Sequence, residues 1–290
     1  MAPSTKPREQ YIEANGFNFH FLEWGDPRAK NAIIFLHGYI ETSKIWLDVG
    51  SDLGREFRTI AIDARGYGKS QYAPNQDYSR TAQVEDLEAI IENLKLQSVK
   101  IVGQAMGGAT AICYAAEHPE MVTALILIEA APEVLRSGME SARKLLSTAE
   151  EFPSMAAASD AFRPFYPYAT SEQLERRINS ALHLQNGRYR WNFDPAFRDP
   201  TIRPAPADPT QKRYNDLWDS TDKIQCPVML VRGAETDMMT PEAVQRLHRR
   251  IVGSRISLIE GAGHPVPTDQ PSMLSLNIRE FLQSLTHISV

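Results

Sequence analysis

Short apolar runs that alternate with helical patterns constrain the fold of this chain more than any other feature. The runs at residues 32–36, 59–62 and 124–128 are continuously apolar, as expected for parallel strands buried on both faces. Between them, segments such as residues 78–94 carry apolar side chains at helical spacing. The other predicted elements are a β-hairpin over residues 11–14 and 17–24, strands at 99–102, 228–231 and 256–259, and helices at 106–117, 241–250 and 271–285. The pattern predicts an α/β fold with a mostly parallel central sheet flanked by helices.

One long stretch breaks this alternation. Residues 132–222 contain two helical segments, at 133–150 and 170–184, followed by a segment rich in proline, aromatic residues and arginine. No apolar run typical of a strand occurs there. Long insertions of this kind in a compact domain usually serve a function. We therefore expect a helical lid at residues 132–222, inserted into a core domain formed by residues 1–131 and 223–290.

Composition excludes several classes of partner. The net charge is −5, whereas a nucleic-acid-binding protein is expected to carry a basic surplus. The first ten residues are polar, and no apolar run approaches the length of a spanning helix, so we expect a cytoplasmic protein with no membrane partner. The two cysteines lack metal-ligand spacing, and no metal or organic cofactor is implied. Nothing in the sequence indicates an oligomeric state.

The strongest chemical signal is a tight turn between a predicted strand and a predicted helix. Gly103 and Gly107 flank Gln104-Ala105-Met106 in the spacing of the G-x-S-x-G nucleophile elbow. Such a sharp turn requires small residues on both sides of the nucleophile. Ala105 occupies the position where serine normally stands, and a methyl group cannot attack a carbonyl. The sequence therefore predicts an elbow without a nucleophile.

A base and an acid are expected on the loops that follow later strands. His264 lies in a glycine-rich loop after the last predicted strand, which suits the general base of a catalytic triad. Asp237, after the penultimate strand, is the favoured acid because the chain order is then nucleophile, acid, histidine. Glu129, at the end of the strand over residues 124–128, is the alternative acid, and Glu235 is a remote third choice.

The turn after the strand at residues 32–36 predicts an oxyanion hole. It reads His37-Gly38-Tyr39, and the backbone amides of Tyr39 and Met106 are the expected oxyanion donors. We interpret His37 as a buried histidine that supports this turn and not as a general base. The sequence at residues 63–70, DARGYGKS, lacks the earlier glycine of a phosphate-binding loop and is interpreted as a tight structural loop.

Taken in order, the blocks HGY, DARGYGKS, GQAMGG, VRGAETD and GAGHPVP resemble the signature blocks of the α/β-hydrolase superfamily. The resemblance covers the predicted core and implies a nucleophile position at Ala105, an acid at Asp237, a base at His264 and oxyanion donors at Tyr39 and Met106. In members of the superfamily with an aspartate nucleophile, the residues at positions 39, 40 and 106 differ from those found here. Serine is therefore the expected original residue at position 105, which alanine has replaced.

The resemblance implies hydrolysis of a carboxylic ester or lactone by acyl transfer. Because Asp237 and His264 are both retained, we expect an inactivated variant in which alanine replaces the nucleophilic serine. Lid aromatic residues such as Trp191 and Phe193 would favour a sizeable, partly apolar substrate. Two alternatives stay open. One is a naturally non-catalytic small-molecule receptor, and the other is a hydrolase that cleaves a C–C bond in a β-diketone or dienone.

Overall fold

The computed structural model describes residues 6–133, 136–167, 169–199 and 212–286. Within these residues the chain forms one eight-stranded sheet and one small three-stranded sheet. The strands are β1 (Arg8–Ala14), β2 (Phe17–Trp24), β3 (Asn31–Leu36), β4 (Arg58–Ile62), β5 (Ser98–Gln104), β6 (Val122–Ile128), β7 (Glu151–Phe152), β8 (Leu182–Gln185), β9 (Arg188–Trp191), β10 (Val228–Gly233) and β11 (Arg255–Ile259).

Ten α-helices accompany the strands in the described residues. They are α1 (Leu47–Leu53), α2 (Arg80–Asn93), α3 (Met106–Glu117), α4 (Arg136–Leu146), α5 (Met155–Phe162), α6 (Ser171–Ala181), α7 (Lys212–Thr221), α8 (Pro241–Arg250), α9 (Val266–Asp269) and α10 (Pro271–Thr286). The bounds of α3 and α8 coincide with the predicted helices. Helix α8 begins as predicted, since the Thr240 side chain accepts the Ala243 N–H and Pro241 occupies the first helical position.

The central sheet has the order β1-β2-β4-β3-β5-β6-β10-β11. Strand β2 runs antiparallel to its neighbours β1 and β4, whereas all other neighbouring pairs are parallel. The β1–β2 turn places Asn15 and Gly16 at φ 48° and 76°, which is the left-handed backbone that a two-residue hairpin requires. These features confirm the predicted α/β fold with a mostly parallel sheet.

Helices cover both faces of the sheet. Because side chains alternate along each strand, every strand contributes apolar residues to the helix layer on each face. In β3, Ile34 and Leu36 pack towards α2 and α3, whereas Ile33 and Phe35 pack towards α1 and α10. Each face thus buries its own hydrophobic cluster. The carboxyl ends of β5, β6, β10 and β11 meet at one edge of the sheet, where sites in parallel sheets collect.

Between β6 and β10 the described residues form an inserted helical region with a hydrophobic cluster of its own. It contains α4, α5 and α6, and also the antiparallel sheet β7-β9-β8, which the sequence patterns did not predict. The β8–β9 turn is Asn186-Gly187, with both φ values positive at 50° and 75°. Helix α7 is the last helix before β10, and its Leu217 packs in the core cluster with residues of α3 and not in the cluster of the insertion.

Backbone hydrogen bonds join the insertion to the loop after β4. The Gly68 N–H donates to the Asn192 carbonyl over 2.7 Å, and the Asp194 N–H donates to the Gly66 carbonyl over 2.7 Å. Between them, Tyr67 and Phe193 form an isolated antiparallel bridge. In the part of the chain that the structure describes, no helix combines the length and apolar character needed to cross a membrane.

Candidate active site

The turn from β5 into α3 has the backbone of a nucleophile elbow. Ala105 lies at its apex with φ 47° and ψ −109°, a conformation that residues with a side chain rarely adopt. Its N–H donates to the Ile128 carbonyl on β6 over 3.0 Å, and its carbonyl accepts the Ala109 N–H at the start of α3 over 3.0 Å. The apex is held from both sides, and its methyl group is partly exposed.

The glycines around Ala105 are required by close backbone contacts. A Cβ on Gly103 would lie 2.6 Å from the Cα of Gly108, and a Cβ on Gly107 would lie 2.5 Å from the Leu36 carbonyl oxygen. No side chain fits at either position without a shift of the backbone. The spacing of small residues recognised in the sequence is therefore a packing requirement between β5, α3 and the end of β3.

His264 is paired with Glu129. The loop after β11 brings the imidazole Nδ1 to 3.3 Å from Glu129 Oε2. Because an ionised carboxylate only accepts hydrogen bonds, Nδ1 carries the proton and Nε2 is left as the basic nitrogen. The His264 side chain is 22% exposed, whereas that of Glu129 is 0% exposed. The pair thus presents an oriented imidazole backed by a fully buried carboxylate.

Glu129 is fixed by donors from the neighbouring strand and its turn. Oε1 accepts the Gly233 N–H at the end of β10 over 2.8 Å, and Oε2 accepts the Thr236 hydroxyl over 2.5 Å. The Glu129 N–H donates to the Val231 carbonyl, and its φ is 50°, in the left-handed region. This backbone turns the carboxylate from the end of β6 towards β10 and the histidine loop.

The structure does not bring Asp237 into this pair. Asp237 is exposed in the loop after β10, and only its more distant charge acts on His264. The intervening Thr236 instead directs its hydroxyl to Glu129. Glu235 is also exposed and accepts the Gly261 N–H over 3.2 Å. Of the three candidate acids, the carboxylate in hydrogen-bond contact with the imidazole is Glu129, the predicted alternative.

Two opposing effects set the protonation of His264. Burial disfavours the charged imidazole and acts to lower its pKa, but the hydrogen bond and the charge of Glu129 outweigh that effect. The pKa of His264 is therefore raised above its usual value of 6.5, with smaller contributions from Glu41 and Asp237. An imidazole with this pKa can take up a proton and be stabilised as a cation.

The predicted oxyanion turn lies against the start of α3. The Gly107 N–H donates to the His37 carbonyl over 3.1 Å, which holds the turn beside the elbow. Met106 is the first residue of α3, so helix geometry leaves its N–H without an intrahelical acceptor. Tyr39 follows in the turn, with its hydroxyl donating to the Phe197 carbonyl in the insertion.

His37 has the contacts of a structural residue. It is buried, its Nδ1 donates to the Gly38 carbonyl over 2.8 Å, and its Nε2 accepts the Ala64 N–H over 3.0 Å. Burial lowers its pKa, which keeps the imidazole neutral. The loop that begins at Asp63 is likewise structural, since that buried carboxylate accepts the Ser43 and Lys69 amides.

A buried ion pair attaches the insertion to the histidine loop. Arg177 of α6 pairs with Asp269 of α9, and its guanidinium lies 4.1 Å above the centre of the Tyr166 ring. The other oxygen of Asp269 accepts the Gly263 N–H over 2.9 Å, one residue before His264. The position of α6 is therefore coupled to the backbone that carries the imidazole.

Several residues of this site were not singled out from the sequence. They are Glu41, Thr236, Arg177 and Asp269. Thr236 lies beside Asp237 in the block that suggested an acid, and its hydroxyl next to candidate carboxylates is the sequence signal that marks it as a donor. Among the described residues, no group of three His, Cys, Asp or Glu side chains is arranged to hold a metal ion.

Fold and site geometry together define an α/β hydrolase, and the comparison with known families agrees. Residues 31–271 match the family model described as alpha/beta hydrolase fold, and the chain belongs to that family.

Individual relatives include esterases. The esterase Rv0045c of Mycobacterium tuberculosis is 30% identical over 286 residues, covering 96% of this chain and 90% of the relative. A crystal structure of that esterase superposes with a TM-score of 0.75. A Bacillus subtilis protein provisionally named 2-succinyl-6-hydroxy-2,4-cyclohexadiene-1-carboxylate synthase is 29% identical, covering 89% of this chain and 93% of the relative. An alpha/beta hydrolase from Novosphingobium aromaticivorans shares the fold with a TM-score of 0.84 at 23% identity, covering 96% of this chain and 98% of that one.

Proposed function

We propose that this chain has the active-site architecture of a carboxylic ester or lactone hydrolase that works by acyl transfer, with Ala105 standing at the position of a serine nucleophile. The observation that carries this proposal is the pairing of His264 with buried Glu129 at the strand ends next to the Ala105 elbow. The esterase relative supports ester substrates. The chain as it stands binds such a substrate and does not turn it over.

The roles in the serine form follow from the geometry. His264 Nε2 removes the serine proton during attack on the carbonyl, and Glu129 holds the imidazole tautomer and stabilises its cation. Glu129 replaces Asp237 in this role, because its carboxylate and not that of Asp237 contacts Nδ1. The amides of Tyr39 and Met106 stabilise the oxyanion, each lowering the barrier by roughly 3 kcal/mol. Water then releases the acyl group with His264 again acting as base.

Aromatic contacts join the insertion to the proposed oxyanion turn and favour an apolar acyl group. Tyr39 meets Phe197 edge to face with ring centres 6.2 Å apart, and Tyr67 stacks on Phe197 at 4.7 Å. The Tyr67 hydroxyl in turn donates to the sulfur of Met106 over 3.7 Å. These contacts link Phe197 of the insertion to Tyr39 and Met106, the residues whose amides are the proposed oxyanion donors. A sizeable, partly apolar ester or lactone suits these aromatic surroundings better than a small acetate ester.

Restoring the nucleophile tests the proposal. Ala105→Ser adds one oxygen at the elbow apex and should give a protein that reacts with a fluorophosphonate probe and hydrolyses p-nitrophenyl esters or lactones. Intact-mass measurement should show a covalent adduct on the serine form alone. The unsubstituted chain is the matched control, and Ala105→Ser combined with His264→Ala should lose the reactivity. A folded serine form without adduct or turnover across a broad ester and lactone panel would count decisively against an esterase.

A second function is favoured by Ala105 itself. If alanine is the natural residue, the same pocket serves a small-molecule receptor that binds an ester or lactone without cleaving it. Affinity for a common ligand separates the two functions. A receptor binds with equal strength before and after Ala105→Ser and never consumes the ligand, whereas the hydrolase converts the ligand once serine is present.

A further inference from the structure

A buried acceptor beside the elbow has no donor. Gln104 precedes Ala105 and is 0% exposed. Its Nε2 donates to the His264 carbonyl over 3.4 Å, so the amide is anchored on the histidine loop. No hydrogen-bond donor among the described residues reaches its Oε1, although that oxygen is sealed from solvent. An unsatisfied buried acceptor destabilises a fold, so this oxygen requires an explanation.

The carboxyl group of Glu41 lies in the same small space. A Cβ built on Gly38 would lie 2.3 Å from Gln104 Oε1 and 2.7 Å from Glu41 Oε2, so both oxygens lie beside the Gly38 backbone in the oxyanion turn. Glu41 Oε2 also accepts the Gly38 N–H over 3.1 Å. Two oxygens without a proton between them repel each other. A protonated carboxyl group would instead supply the donor that Gln104 lacks.

We propose that Glu41 is protonated near neutral pH and donates a hydrogen bond to Gln104 Oε1. The two side chains then form a positioning pair that joins the Gly38 turn to the backbone of His264. One member holds an amide of the oxyanion turn, and the other holds the carbonyl of the base. Their hydrogen bonds go to backbone groups, the Gly38 N–H and the His264 carbonyl, which makes them positioning residues.

The surroundings of Glu41 are consistent with a retained proton. The charges of His264, Arg177 and Asp269 act on it, and its own charge acts on the hydroxyl groups of Tyr166 and Tyr67. Removal from water raises the pKa of Glu41 to about 7, although its side chain is only partly buried and the positive charges of His264 and Arg177 act in the opposite direction.

An ionised Glu41 would require a different amide orientation. With the Gln104 amide reversed, its NH₂ group would face the carboxylate, but its oxygen would then face the His264 carbonyl at the 3.4 Å contact. Two acceptors would meet there, and the link to the histidine loop would be lost. The two arrangements make opposite predictions for what happens when the amide is removed.

Carboxyl titration by NMR tests the protonation in the chain as it exists. With carbon-13 in the glutamate side chains, one carboxyl signal should titrate near pH 7, well above the ordinary value of 4.5, and should be absent in Glu41→Gln. Gln104→Met removes the acceptor and should lower that midpoint, because the protonated form loses its partner. Gln83→Met, which removes a glutamine that pairs with Thr110 instead, is the matched control and should leave the midpoint unchanged. A Glu41 midpoint at or below 4.5, or a rise in Gln104→Met, would overturn the proposal.

A stability measurement provides an independent readout. A carboxyl group whose pKa is raised in the folded state stabilises the fold fully below pH 4.5, and this contribution is lost as the pH rises towards about 7. Glu41→Gln keeps a permanent donor at this position. As the pH rises across this range, the free energy of unfolding of the parent chain should therefore fall relative to that of Glu41→Gln. A constant difference between the two proteins would contradict the proposal. Both readouts are independent of turnover, so their failure leaves the proposed hydrolase intact.

Discussion

The turn after β6 and the turn after β10 both present a carboxylate at the same edge of the sheet, but the two carboxylates differ in burial and in hydrogen bonding. Glu129 is 0% exposed, has a left-handed backbone and is held by Gly233 and Thr236. Asp237 lies in a loop open to solvent. A carboxylate buried with its donors keeps its orientation, whereas the charge of an exposed carboxylate is screened by water. Burial and fixed donors distinguish the partner of His264, and position in the chain order does not.

The largest expected difference between the two carboxylates is in catalysis by the serine form. In the Ala105→Ser background, Glu129→Gln should lower kcat by about 10²–10⁴-fold, because an amide N–H in place of Oε2 would donate to Nδ1 and favour the wrong imidazole tautomer. Asp237→Asn should stay within about threefold, because an exposed charge acts weakly on the site. Steady-state kinetics on one ester compares the two proteins directly. The reverse ranking would restore Asp237 as the acid.

A smaller difference between the two carboxylates should appear in the free energy of unfolding, which can be measured on the chain without a nucleophilic serine. Glu129→Ala leaves the Gly233 amide and the Thr236 hydroxyl without their acceptor and opens a cavity, which should lower the free energy of unfolding by about 2–4 kcal/mol. Asp237→Ala changes an exposed side chain and should stay within about 0.5 kcal/mol. Urea denaturation of the Ala105 chain measures both. Equal losses would show that the buried contacts around Glu129 do not set it apart.

The smallest difference concerns the titration of His264. NMR of the Ala105 chain should show a pKa above 6.5, and Glu129→Gln should lower it, because burial then acts unopposed. Asp237→Asn should lower the pKa by less. The folded chain binds this proton more tightly than the unfolded chain, so the resulting stabilisation is full below pH 6.5 and disappears as the pH rises through the native pKa. A larger effect from Asp237→Asn would reverse the comparison.

Local patterns in the sequence predicted much of the fold. The strand–turn–helix at the elbow, the Asn15-Gly16 hairpin and the cap of α8 depend on neighbouring residues, and each is found where it was expected. The three-stranded sheet of the insertion was missed, although Asn186-Gly187 between apolar and aromatic residues is a hairpin signal. These strands are short and half exposed, so they carry no continuous apolar run.

The choice of acid could not be read from the sequence, because both candidates directly follow strands. Glu129 is selected by contacts with Gly233 and Thr236, which are 104 and 107 residues away in the chain. The same limit applies to Glu41, whose neighbour Gln104 comes from a different strand end. Local patterns report turns and periodicity, whereas pairings of this kind arise only when the strand order brings distant loops together.

The backbone at position 105 has an evolutionary consequence. Glycine adopts a positive φ without the steric penalty that a side chain imposes, so Ala105→Gly would relieve about 1 kcal/mol of backbone strain at the elbow. A lineage freed from catalysis would therefore gain stability from one further substitution at this position. Natural homologues that bind without reacting should drift towards glycine here, whereas lineages that still hydrolyse should retain serine.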